Sequence, residues 1–140
     1  MCKQNVAAPP MKCPTDIIFM LDDSASISWS SFPLMKTFVS DFVRRMDIDN
    51  GTARVGVVTY SGNVQTVINL NDHSSGADLI SAIKSLNCSK GSITNMATAL
   101  AYVRTEMLTS AAGDRSNAFN VVVVFTDGWF DDPETQVGIT

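Results

Sequence analysis

Charge is scarce in this sequence. Its 10 basic and 14 acidic residues are 17% of the 140, with a net charge of −4, below the usual quarter. A net-negative chain has little with which to neutralise phosphates, which excludes a general nucleic-acid binder. It also lacks the basic clusters that hold proteins on anionic membrane surfaces. No apolar run exceeds five residues, as in Ile17 to Leu21 and Val121 to Phe125, so membrane insertion by a helix of about 20 apolar residues is excluded. The first residues, Met1-Cys2-Lys3-Gln4, lead into polar, Pro-containing sequence without the apolar centre of a signal peptide. Cysteine is limited to Cys2, Cys13 and Cys88, and an odd count leaves at least one thiol unpaired within the chain. Gly-x-Ser-x-Gly elbows, P-loops and Gly-rich dinucleotide loops are all absent, which removes the common marks of hydrolases, NTPases and dinucleotide enzymes.

What is present is a core-forming pattern, with 45% hydrophobic residues, and a polar surface built largely from 15 Ser and 12 Thr. Residues 1–14 read as an irregular leader, because Pro9, Pro10 and Pro14 interrupt regular structure. Asp16 to Leu21 is short, β-branched and aromatic, the pattern of a strand buried on both faces. Ser28, Ser30 and Ser31 offer caps for a helix in which Met35, Phe38, Val39, Phe42, Val43 and Met46 form one apolar stripe. Arg54 to Tyr60 is a second buried strand. Ser61-Gly62-Asn63 turns it into a looser strand over Val64 to Leu70 at the sheet edge. Ala77 to Leu86 reads as a short helix with Leu79, Ile83 and Leu86 inward. Thr94 or Asn95 caps another helix carrying Leu100, Val103 and Met107, and Val121 to Phe125 reads as the most buried strand. Alternating strands and helices predict an α/β, doubly wound, mostly parallel sheet with one antiparallel edge strand.

Sites in such sheets lie beyond the carboxyl ends of the strands, where the strand order reverses. Here the first strand ends in Asp22-Asp23-Ser24-Ala25-Ser26 and the last in Thr126-Asp127-Gly128. Gly91-Ser92-Ile93-Thr94 leads into the helix between them. Two carboxylates and three hydroxyls thus converge on one rim. Ligands that are all oxygen suit a hard cation, and two acids held that close repel unless a cation separates them.

These residues resemble the von Willebrand factor A domain and its metal-ion-dependent adhesion site, over about Asp16 to Asp132. The pattern is carried by Asp22-x-Ser24-x-Ser26 after an apolar strand, Thr94 at a loop–helix junction, and Thr126-Asp127-Gly128 after a Val-rich strand. The resemblance implies a Rossmann-like fold and divides the chain into a leader, 1–14, and a partial A domain, 15–140. The family's sheet usually continues with further strand–helix units, so the last of these are expected to be missing. It further implies a metal shell of Asp22, Ser24, Ser26, Thr94 and Asp127 around Mg²⁺, or Ca²⁺ or Mn²⁺. On this resemblance Ser24 and Ser26 would bind directly, Thr94 would bind in the ligand-bound arrangement, and Asp22 and Asp127 would act directly or through water. One departure is Ser92, where many members have a second glycine. The family often joins a cysteine before the first strand to one after the last helix. Cys13 takes the first of these positions, and the second is absent from the sequence.

The resulting expectation is a non-enzymatic adhesion or matrix-assembly module of a secreted protein, as in A domains of extracellular matrix proteins. Its partner is a matrix or cell-surface protein, a collagen-like one among the candidates, that presents an acidic side chain to the metal. Trp129 and Phe130 are candidate rim contacts, and Asn50 and Asn87 stand in N-glycosylation sequons. One alternative is a Mg²⁺-dependent phosphohydrolase using Asp22 as nucleophile. Such enzymes want an acid two residues later, where this chain has Ser24. The other alternative is an intracellular assembly module, against which the sequons and Cys13 weigh.

Overall fold

The strands order themselves by how much apolar surface each can bury. In the computed structural model, which describes residues 13–128, β1 (Thr15–Asp22) is buried along nearly its whole length. It pairs in parallel with β2 (Ala53–Tyr60) on one side and β4 (Phe119–Phe125) on the other. β3 (Val64–Ile68) runs antiparallel to β2, to which Ser61–Asn63 connects it, so the sheet order is β3-β2-β1-β4. Such a mostly parallel sheet needs cover on both faces. The period-2 alternation of β1 sorts its side chains accordingly. Ile17, Phe19 and Leu21 pack with Val39 and Val43 of α1 (Ser31–Arg44) and Leu79 and Ile83 of α2 (Gly76–Lys84). Ile18 and Met20 pack on the other face with Met96 and Ala99 of α3 (Met96–Tyr102), and with Val103 and Met107 of the π turn that extends it.

The helix starts use the serines and asparagine of the loops. Ser28 Oγ accepts from the Ser31 amide at 3.1 Å, Ser75 Oγ from Asp78 and Asn95 Oδ1 from Thr98, each satisfying an amide that has no intrahelical partner. At the far end of the sheet Asp16 is fully buried. Arg115 grips it through Nε at 2.9 Å and Nη2 at 2.7 Å, and also bonds the carbonyls of Gly51, Thr15 and Thr52.

Three burial expectations need correction. In α1 the inward face is Phe32, Val39, Ser40 and Val43, whereas Phe38 and Phe42 are 54% and 40% exposed. They lie on the helix flank over the end of β4, in edge contacts of Phe38 with Phe125 and of Phe42 with Phe19. In α3 the helix turns Ala99 inward and leaves Leu100 43% exposed. β4 is not the most buried strand. It is the edge of the sheet among the described residues, and Phe119, Val121 and Val122 are exposed. Burial of a strand depends on having neighbours on both sides as well as on its own composition.

Candidate metal centre

β1 ends at Asp22, whose side chain continues the alternation of Ile18 and Met20 and so faces the α3 side of the rim. The chain then leaves the sheet but keeps one more ladder contact, a parallel bridge between Ser24 and Gly91. The Ala25 amide donates to Gly91 O at 2.7 Å and the Gly91 amide to Asp23 O at 3.3 Å. That bridge ties the loop before α3 to the loop after β1. A side chain at 91 is not tolerated, since a Cβ there meets Ser61 Oγ at 2.1 Å. The Asn95 amide donates to Ser61 O at 3.0 Å, which anchors the other end of the loop. Asn95, not Thr94, caps α3. Thr94 is buried one residue before that cap, at 3% exposure.

Within the loop, Ser24 and Ser26 bring their Oγ atoms to 2.9 Å of each other. Asp22 Oδ1 accepts the Ser24 amide at 2.9 Å, while Asp22 Oδ2 is buried with no hydrogen-bond partner. Burial raises the Asp22 pKa; the hydrogen bonds from Ser24 oppose this, and the charges of Asp127 and Asp23 add to it. Asp127 therefore lies close enough to Asp22 to be felt as a like charge, although it is itself exposed on the loop after β4. Tyr60, fully buried, donates its hydroxyl to Phe125 O at 3.1 Å between the ends of β2 and β4. Burial, then Asp22 and Asp127, push its phenol far up.

The donor set fits a hard divalent cation. An orphaned carboxylate oxygen in a buried position is costly unless something positive or protic meets it. Around Mg²⁺, with oxygens at about 2.0–2.1 Å, adjacent octahedral positions are about 2.9 Å apart, which is the spacing of the two serine hydroxyls. Among the described residues no three His, Cys, Asp or Glu side chains cluster; the candidate donors are carboxylate and hydroxyl oxygens.

The remaining candidates lie apart from this rim. Asn50 is exposed and donates to Asp47 Oδ1 at 2.8 Å, and Asn87 is exposed in the loop after α2. Cys13 is disulfide-bonded, and Cys88 is a half-buried free thiol whose S–H points to Asp23 O. Trp129 and Phe130 lie outside the described residues. The sequence reading missed Trp29, an aromatic 77% exposed just beyond the serine loop, with Lys90 Nζ 4.4 Å over its ring. An isolated Trp among serines was the available signal.

A mostly parallel sheet with this three-loop rim defines an A-type adhesion-site fold, and comparison with known proteins agrees. The von Willebrand factor type A domain model matches residues 16–139, and the chain belongs to that family. It is 36% identical to mouse vitrin over 125 residues, covering 89% of this chain and 19% of vitrin. Human matrilin-1 is 34% identical, with 84% of this chain and 24% of matrilin-1 covered. The human collagen alpha-1(XX) chain is 35% identical, with 90% and 10% covered. Proximal thread matrix protein 1 of the mussel byssus superposes with a TM-score of 0.81 at 28% identity, over 86% of this chain and 32% of that one. A second structure of that protein, with zinc in its adhesion motif, gives 0.80 at 27% identity, over 86% and 33%. The chain thus spans about a fifth of the length of vitrin.

Proposed function

We propose that this domain is a non-enzymatic adhesion module of an extracellular matrix protein. In this reading it holds a divalent cation through Asp22, Ser24, Ser26, Thr94 and Asp127 and uses it to bind a carboxylate of another matrix protein. The observation that carries the reading is the paired serine hydroxyls, 2.9 Å apart, beside the partnerless buried Asp22 Oδ2. Two acids at most balance the charge of a divalent ion and the three hydroxyls are neutral, so the ion's open position stays electrophilic and a partner's Asp or Glu can fill it with a charge-assisted bond. Mg²⁺ fits the serine spacing, and Ca²⁺, Mn²⁺ and the zinc held by the byssal relative share the same oxygen donors. A collagen chain and a byssal thread matrix protein among the relatives support a matrix setting, and with it secretion, further domains in the parent protein and use of the sequons at Asn50 and Asn87. No observation favours phosphoryl transfer: the position two residues beyond Asp22 is Ser24, whose amide and hydroxyl are both engaged locally.

The test is binding to candidate matrix proteins in Mg²⁺ buffer. Affinity is expected to fall at least tenfold, about 1.4 kcal/mol, for Asp22→Ala, Ser24→Ala, Ser26→Ala and Asp127→Ala, and on adding EDTA. Thr94→Ala is expected to retain metal while losing partner affinity. Binding that survives EDTA and Asp22→Ala unchanged refutes the reading.

A further inference from the structure

Asp22 and Asp23 are adjacent where β1 gives way to the loop, and alternation sends them to opposite faces of the sheet. Asp22 follows Met20 toward α3. Asp23 follows Leu21 toward the face that α1 and α2 cover, where the odd-numbered residues of β2 also point. There, beyond the end of β2 and the turn into β3, lies a pocket of about 320 Å³. It is lined by Asp23, Thr59, Ser61, Asn63, Gln65 and Ser89, closed by Gly91. Every side chain lining it is polar, and none is basic. None of Asp22, Ser24, Ser26, Thr94 or Asp127 lines it.

The pocket holds a buried, half-satisfied carboxylate. Asp23 is only 3% exposed. Its Oδ2 accepts the Ser89 amide at 3.3 Å, and its Oδ1 is buried with no hydrogen-bond partner. The nearest ammonium in sequence, Lys90, is turned away, donating to Ile27 O and lying over the Trp29 ring. The rest of the lining offers the hydroxyls of Thr59, Ser61 and Ser89 and the side-chain amides of Asn63 and Gln65. A buried anion without a counter-charge is among the costliest arrangements a fold can carry. One carboxylate and several neutral oxygen donors in the same pocket make a set that suits a hard cation of flexible coordination.

We infer that this pocket is a second cation site, separate from the adhesion-type rim and selective for Ca²⁺ over Mg²⁺. Ca²⁺ takes six to eight oxygens at about 2.3–2.6 Å in irregular geometry, whereas Mg²⁺ demands a near-ideal octahedron and dehydrates reluctantly. The donors here sit on a three-residue hairpin turn, a strand edge and a loop, so their spacing is irregular. An ion in the pocket ties the β2–β3 turn to the loop that carries Gly91 and Thr94, and so stiffens the wall of the first site.

Calorimetric titration of Ca²⁺ into the metal-stripped chain in excess Mg²⁺ tests this, because Mg²⁺ fills the first site and leaves the second to be read. One Ca²⁺ is expected to bind. Asp23→Asn is expected to weaken it at least tenfold, and Asn63→Ala with Gln65→Ala at least threefold. Asp127→Ala is expected to change it less than twofold. The Asn63 and Gln65 positions are exposed, so that pair of substitutions keeps the test decisive if Asp23→Asn fails to fold. Absence of Ca²⁺ uptake in Mg²⁺ overturns the inference. So does uptake indifferent to the Asn63/Gln65 pair, or uptake lost with Asp127→Ala, which would place the ion in the first site.

Discussion

In the proposed reading Asp22 carries opposite costs in the metal-free and metal-bound protein. Burial holds its pKa above the ordinary carboxylate value, so folding favours the protonated form relative to the unfolded chain. The stability this gives is fully present below about pH 3.9 and is lost as pH rises to the raised folded value, above which the buried charge is a constant penalty. A bound cation removes that penalty. Asp22→Asn is therefore expected to melt at or above the wild-type temperature without metal, while losing the gain that wild type shows on adding Mg²⁺. At one hundred times the dissociation constant that gain is about 2.7 kcal/mol. Mg²⁺ affinity is also expected to fall as pH drops through the raised Asp22 value, because the proton and the ion compete for the same oxygen. Thermal melts with and without Mg²⁺ across pH 4–8 check both. An Asp22→Asn variant that still gains stability from Mg²⁺ removes Asp22 from the shell. That Asp22, Ser24 and Ser26 come together at one rim was legible because their spacing is local and follows a strand. The separate placement of Asp23 was not, since two consecutive acids look alike until the strand's alternation sends them to opposite faces.

At the scale of elements, the order, type and direction of the strands were legible from composition and turns, and the antiparallel β3 from the short Ser61–Asn63 connection. The phase of the helices was not. Periodicity fixes the width of an apolar stripe, but which residues lie at its centre depends on where the helix rests on the sheet. Hence Phe38 and Phe42 moved to the flank and Leu100 outward. β4 presents Val121 and Val122 with no strand beyond them among the described residues. A long, apolar, uncharged edge invites pairing between copies. The 140-residue chain is expected to self-associate with rising concentration, and Val121→Lys to suppress this. Sedimentation velocity of the two proteins decides, and equal association in both removes the edge as its cause.

Across the whole molecule the adhesion-type rim and the Asp16–Arg115 pair lie at opposite ends of β1. The pair joins residues 99 apart in sequence, which no local pattern reveals. Arg115→Ala removes the guanidinium from the fully buried Asp16 carboxylate and leaves it only the backbone amide of residue 115, and is expected to cost about 3 kcal/mol in urea unfolding. Metal binding at the other end is expected to persist in that variant under native conditions. Chelation, conversely, is expected to leave far-UV circular dichroism nearly unchanged, because the parallel core closes without the ion.

β1 also has a mechanical consequence. It runs parallel to both its partners, with eight register positions against β2 and seven against β4. When tension enters near residue 13 and leaves past residue 125, it pulls β1 and β4 along their lengths in opposite directions. The rungs between them are then loaded together in shear instead of being peeled one at a time. In single-molecule pulling with handles at those two positions, the domain is expected to hold until one abrupt rupture, at a force well above that needed when the handles sit at Val57 and Ile68, the end of the β2–β3 pair away from their turn. Forced rupture is governed by the unfolding rate rather than by equilibrium stability. A tether in a load-bearing matrix would then draw its strength from the direction of pull as much as from the depth of the fold's free-energy well.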